Sequence, residues 1–132
     1  FSYYRLNITK NKGDDTLMQI AEVAFVGPIY PSADHTDPVG SATITARNFI
    51  GEAEAPAMAF DNNTSTKWLD HNNWKGAPTA EDPSWVTILL PDPKAVRTLL
   101  LTSANDADAR DPENFNLQAS SDGGVTWQNL AS

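Results

Sequence analysis

The chain has no cysteine, which excludes a disulfide framework, thiolate catalysis and a Cys-type zinc site. It has no apolar run of transmembrane length and does not open on a charged stretch followed by an apolar one. A secretion signal, if the parent protein carries one, is therefore expected outside these 132 residues. Positive charge is scarce: 9 Lys and Arg stand against 17 Asp and Glu, a net charge of −8. A phosphate-backbone binder needs basic surface to displace counterions, and anionic lipid headgroups attract basic segments, so neither nucleic acid nor membrane is an expected partner. Catalytic signatures are missing too. There is no G-x-S-x-G, no H-E-x-x-H and no phosphate-gripping glycine loop. Carboxylates are plentiful but form no recognisable acid/base pair of the kind glycosidic cleavage requires. What remains is a binding role towards neutral ligands such as sugars, or towards cations.

Hydrophobic residues make up 40% of the chain, enough for one domain with one core spanning 1–132. Their spacing is mostly two. Tyr4, Leu6 and Ile8 alternate with Arg5, Asn7 and Thr9, which predicts a half-buried strand, and a polar turn KNKGDD leads to a second strand over 17–26. Pro28, Pro31 and Pro38 mark a connecting loop, followed by a short strand over 41–46. The segment 53–70 is irregular, with a helical turn around Pro56 to Phe60, and 71–84 is a polar loop. Strands are expected over 85–90, 96–103, 114–120 and 126–130, the last two joined through SSDGG, where Asp-Gly and Gly-Gly tolerate positive φ. Many short strands with turn punctuation and almost no helix predict an all-β, antiparallel sandwich.

Four strings carry a more specific likeness: FDNNTSTKW (60–68), PSWVTILL (83–90), LTSANDADARDP (101–112) and SSDGGVTW (120–127). Together they resemble the discoidin-like, or coagulation factor V/VIII type C, domains, and among these the family 32 carbohydrate-binding modules. The resemblance implies a jelly-roll β-sandwich of the galactose-binding type that binds ligand without transforming it. One departure stands out: YYRLNITKNKGDDTLMQIAEVAFVG, residues 3–27, is similar to the segment with which such domains usually end. Residues 1–27 would then supply the family's usual last strands, either by circular permutation or because the chain straddles two tandem modules. A monomer is expected in the first case, and a strand-exchanged dimer is the alternative.

Members of the family commonly hold one structural calcium in a loop such as 57–68. Calcium takes about six to eight hard oxygen ligands, which a tight loop offers as carboxylate, amide and carbonyl groups. Position by position, the resemblance implies Asp61, Asn63 and the carbonyls of Met58 and Thr66, completed by Ala21 (carbonyl) and Glu22 (side chain) from the displaced segment. Asn62, where relatives often have glycine, tolerates the left-handed turn. An Asx-rich turn without an ion is the alternative.

Sugar sites pair an aromatic face with planar polar groups. Of the four tryptophans, Trp68, Trp85 and Trp127 read as core or semi-core residues, whereas Trp74 stands in the polar loop DHNNWKG with His71 and Asn73 beside it. A second candidate loop offers Asn105, Asp106 and Arg110, either to a ligand or to internal bracing, with Arg110 bridging to Asp106 or Asp111. Asn48, Phe49 and Glu54 belong to the same candidate rim. The expected function is a calcium-stabilised carbohydrate-binding module that targets a secreted, extracellular bacterial protein to polysaccharide or glycan. A protein-adhesion or structural spacer module is the alternative.

Overall fold

The computed structural model describes residues 1–27, 33–36, 42–75 and 77–132. The expected Pro28–Pro31–Pro38 loop lies largely outside them. Nine strands are described: β1 (Tyr3–Asn11), β2 (Met18–Ile20), β3 (Glu22–Val26), β4 (Thr43–Ala46), β5 (Trp68–Asp70), β6 (Ser84–Leu89), β7 (Thr98–Thr102), β8 (Pro112–Ser120) and β9 (Gln128–Ala131). The other described residues form turns, bends and short 3-10 segments, one of them Pro56–Phe60.

Five strands form one antiparallel sheet in the order β4-β6-β1-β8-β9. The opposing layer consists of two antiparallel ribbons, β2-β5 and β3-β7. The alternation seen in the sequence explains the assembly. Tyr4, Leu6 and Ile8 of β1, Val86 and Ile88 of β6 and Leu117 and Ala119 of β8 all point inward. They meet Met18, Ile20, Val23, Phe25, Phe60 and Trp68 from the other layer. The architecture is the all-β sandwich that the sequence predicts.

The first strand is the middle strand of its sheet. β1 pairs with β6 on one side (Leu6 opposite Val86) and with β8 on the other (Leu6 opposite Leu117).

The single strand expected over 17–26 is two strands. Inward residues step by two from Met18 to Ile20 and again from Val23 to Phe25, but by three between Ile20 and Val23. That slip at Ala21–Glu22 lets the first half pair with β5 and the second with β7, and it turns Glu22 away from the core.

Trp68 is fully buried, its indole N–H donating to the Asn48 carbonyl at 2.9 Å. Trp85 and Trp127 are only half-buried. Trp85 lies one step from Ser84 and Val86, which both point inward, so it stands on the outer face of the sheet instead of in the core.

Candidate functional site

The loop between the 3-10 turn Pro56–Phe60 and β5 is folded on its own polar side chains. Asp61 accepts the Asn63 N–H at 3.0 Å through one carboxylate oxygen and the Thr66 hydroxyl through the other. Asn63 accepts the Ser65 N–H at 2.9 Å. Asn62 sits at φ 56°, the left-handed region that asparagine tolerates better than branched residues.

Glu22 reaches this loop across the layer. Its Oε1 accepts the Asn62 N–H at 3.1 Å, while its Oε2 is buried without a partner. Burial pushes the Glu22 carboxyl up to about 7, against the Asn62 N–H bond that favours the charged form, and the Asp61 carboxylate adds to the rise. Two carboxylates are therefore forced together, with an oxygen lone pair unspoken for. Ala21 precedes Glu22 and its N–H donates to the Thr102 carbonyl at 3.0 Å, and Met58 lies in the 3-10 turn before Asp61 with its N–H on the Ala55 carbonyl at 2.9 Å. The donor set is all oxygen and includes two anions, which suits a hard divalent cation such as calcium. Among the described residues no group of three or more His, Asp or Glu side chains forms a metal cluster, so any such site would depend on backbone and amide oxygens.

Trp74 is 63% exposed, the most accessible of the tryptophans. It follows two other residues with positive φ: Asn72 at 41°, Asn73 at 56° and Trp74 itself at 62°. Three consecutive non-glycine residues in that region are costly, and such a turn persists only where its surroundings hold it. The His71 ring packs against the Trp74 indole at 5.5 Å between centroids, and Asn73 is exposed beside them.

The loop is held from below by Asp70, the last residue of β5, which is completely buried. Asp70 accepts the Arg47 Nε–H at 2.9 Å and the Ser84 hydroxyl. Burial raises its carboxyl from the ordinary range, and the Ser84 bond and the Arg47 charge oppose the rise. Arg47 also reaches Asp82 at 3.2 Å.

The loop carrying Asn105, Asp106 and Arg110 is fastened to other parts of the chain. Arg110 bonds to Asp14 in the β1–β2 turn at 3.4 Å, so the expected partners Asp106 and Asp111 give way to a residue far off in sequence. The exposed Asp106 accepts the Lys67 ammonium at 2.8 Å, and that bond first of all lowers its carboxyl. Gln19 donates to the Asp106 carbonyl at 2.6 Å and accepts Lys67 at 2.9 Å. Asn105 is exposed. Three sequence-distant partners, Asp14, Lys67 and Gln19, thus engage Arg110 and Asp106, while Trp74 and His71 pack on each other with Asn73 beside them. Phe49 is exposed on the surface.

Arg47, Asp70, Gln19 and Lys67 were not singled out by the sequence. Arg47, Gln19 and Lys67 stand at no motif's ligand position, and Asp70 only closes the irregular segment 53–70, beyond the 57–68 loop. A buried charge leaves no one-dimensional mark when its partner is 23 positions away.

No curated protein and no solved structure matches the chain. The F5/8 type C domain matches residues 43–132, more than half of it, a span that takes in the 61–66 loop, the Trp74 loop and the 103–112 loop. With that match and its antiparallel sandwich, the chain belongs to the F5/8 type C, discoidin-like family, whose domains are generally non-catalytic modules that bind carbohydrate or other ligands.

Proposed function

We propose that this domain is a carbohydrate-binding module, carrying one structural calcium, that keeps a secreted protein on a polysaccharide or glycan. The observation that carries the reading is Trp74. A large aromatic ring is 63% exposed at the end of a strained turn, and the turn stands on a buried ion pair. Backbone strain of this kind is retained where a geometry is used, and here it presents the ring to solvent. The indole would stack on the apolar face of a sugar ring, with His71 and Asn73 offering polar atoms to its hydroxyls. Asn105, Asp106 and Arg110 belong in this reading to a braced loop, with Asn105 the member left to reach a ligand.

Calcium would be held by Asp61, Glu22 and Asn63 side chains and by the carbonyls of Ala21, Met58 and Thr66. Its contribution is charge balance for two crowded carboxylates, which ties the loop to β3. The net charge of −8 agrees with a neutral ligand.

The test is binding of the domain to a panel of glycans and insoluble polysaccharides, with Trp74→Ala alongside. Selective binding that falls roughly tenfold or more in a variant melting like the parent is expected. Binding unchanged in Trp74→Ala, or no binding anywhere on the panel, overturns the reading and favours adhesion or a spacer role.

A further inference from the structure

The outward side chains of the five-stranded sheet line up in rows that cross its strands. One row runs Thr45, Thr87, Arg5, Gln118 and Asn129 from β4 to β9. It is bonded almost end to end. The Thr45 and Thr87 hydroxyls share a hydrogen bond, and Arg5 donates to Gln118 Oε1 at 2.9 Å and 2.7 Å through Nε and Nη2. Gln118 Nε2 then donates to Asn129 Oδ1 at 2.8 Å. With neighbouring strands about 4.8 Å apart, the row is about 19 Å long.

Aromatic rings flank it on both sides. The next row sets Trp85, Asn7 and Asn116 beside one another, and Asn7 Nδ2 donates to Asn116 Oδ1 at 3.0 Å and to Gln118 Oε1 at 2.7 Å. On the opposite flank Tyr3 meets Trp127 edge-on with 5.1 Å between centroids, and the Arg5 guanidinium lies 4.2 Å from the centre of the Trp127 ring.

The composition of this face sets it apart from the molecule that carries it. The chain bears a net charge of −8, yet Arg5 is the one charged residue in these rows, and it is already engaged by Gln118 and Trp127. The outer face of a sandwich sheet usually carries solvated charges. Here it carries hydroxyls, amides and indoles. The ladder also leaves amide donors over: Asn116 and Asn129 each accept a bond through Oδ1, and neither Nδ2 takes part. Half-buried rings, spare planar donors and no free charge match a polyol and mismatch an acidic polymer.

We propose that the outer face of the five-stranded sheet is a second ligand surface, and that it takes one neutral polysaccharide chain laid across the strands. Trp85 and the Tyr3–Trp127 pair are the ring contacts, and Asn116 and Asn129 bond to hydroxyls. The proposal shares the ligand class with the Trp74 reading but none of its residues, because the Trp74 loop follows β5 in the opposing layer.

The experiment is titration of the isotopically labelled domain with galactomannan, xylan and hydroxyethyl cellulose, following the four indole N–H resonances, with polygalacturonate as the acidic comparison. Native gels containing each polymer give affinities for Trp85→Ala and Trp74→Ala. The expected result is movement of the Trp85 and Trp127 resonances with a neutral polymer. Trp85→Ala should lose roughly tenfold in retardation while melting within about 2 °C of the parent, and Trp74→Ala should keep the sheet-face component. Stationary Trp85 and Trp127 resonances with a moving Trp74 overturn this proposal and leave the loop reading standing. Stationary resonances throughout overturn both, and retardation by polygalacturonate alone overturns the neutral ligand. The wild-type resonances decide the matter even if Trp85→Ala fails to fold.

Discussion

Replacing Glu22 by Gln should move stability in opposite directions depending on whether calcium is supplied or chelated. Glu22 is 8% exposed and its carboxyl is raised from 4.5 to about 7, first by burial and further by Asp61. A carboxyl raised in the folded state holds its proton longer there than in the unfolded chain. In chelator, its contribution is therefore fully present below pH 4.5 and is lost as pH rises to about 7. A rise of this size corresponds to at most about 3 kcal/mol, and to about 1–2 kcal/mol once solvent at the open side of the loop is allowed for. Glu22→Gln removes that cost, so in chelator at pH 8 the variant should melt roughly 4–8 °C above the parent. At pH 4 the two should coincide.

In calcium the order reverses. The parent gains about 2.7 kcal/mol at a hundredfold excess over Kd, and the variant, short of one charged ligand, loses most of it. Binding at pH 6 should also release a proton from the parent and none from the variant, which calorimetry in two buffers detects. A parent that melts identically in calcium and in chelator refutes the metal reading. A Glu22→Gln variant that melts below the parent in chelator at pH 8 refutes the claim that the buried carboxylate is a cost.

Arg47→Ala should destabilise the fold by about 3–5 kcal/mol in urea titrations, because it strands the wholly buried Asp70 carboxylate. Adding Asp70→Asn should recover much of that loss, and no recovery would mean that Arg47 acts through packing alone. Asp122 accepts the Thr126 N–H at 2.8 Å and bonds its hydroxyl, and chiefly that hydroxyl bond lowers its carboxyl to about 2. Since the folded value is depressed, the turn's support should be intact above pH 4 and fade as pH falls through about 2. Amide exchange at Thr126 should quicken over that window in the parent and show no such step in Asp122→Asn; a flat parent profile would contradict the assignment.

What the sequence discloses about this fold is its period. Tyr4, Leu6 and Ile8 stand in the core because every second residue of a strand faces one way, and the same rule identifies β6 and β8. The rule says nothing about the side chains it discards. Arg5, Asn7, Gln118 and Asn129 read as solvated polar residues, and their ladder exists only because β1 falls between β6 and β8, which depends on pairing across more than 100 positions. Trp85 is held out of the core by the same parity, one step from the inward Ser84 and Val86, and Trp127, just before β9, covers Tyr3 and Arg5. The break at Ala21 was hidden because 17–23 is buried throughout, leaving no alternation to count. Glu22 and Asp61 were legible through the family likeness, but the crowding that raises the Glu22 carboxyl is a property of the folded pair.

The first 26 residues bind these observations together. They lie outside the matched span 43–132, yet they contribute the middle strand of the large sheet and one partner of each small ribbon. Removing β1 would expose facing edges on β6 and β8 and uncover Val86, Ile88, Leu117 and Ala119, so the matched span cannot close its core by itself. Glu22 reaches the 61–66 loop, Gln19 and Asp14 fasten the 103–112 loop, and Arg5 with Asn7 carries the outer ladder. Each proposed ligand or metal surface except the Trp74 loop therefore takes at least one residue from this segment. A fragment beginning at residue 43 should lose the cooperative transition, the calcium response and the sheet-face binding together, where loss of any one alone would mean that the sites are independent of the strand that crosses them.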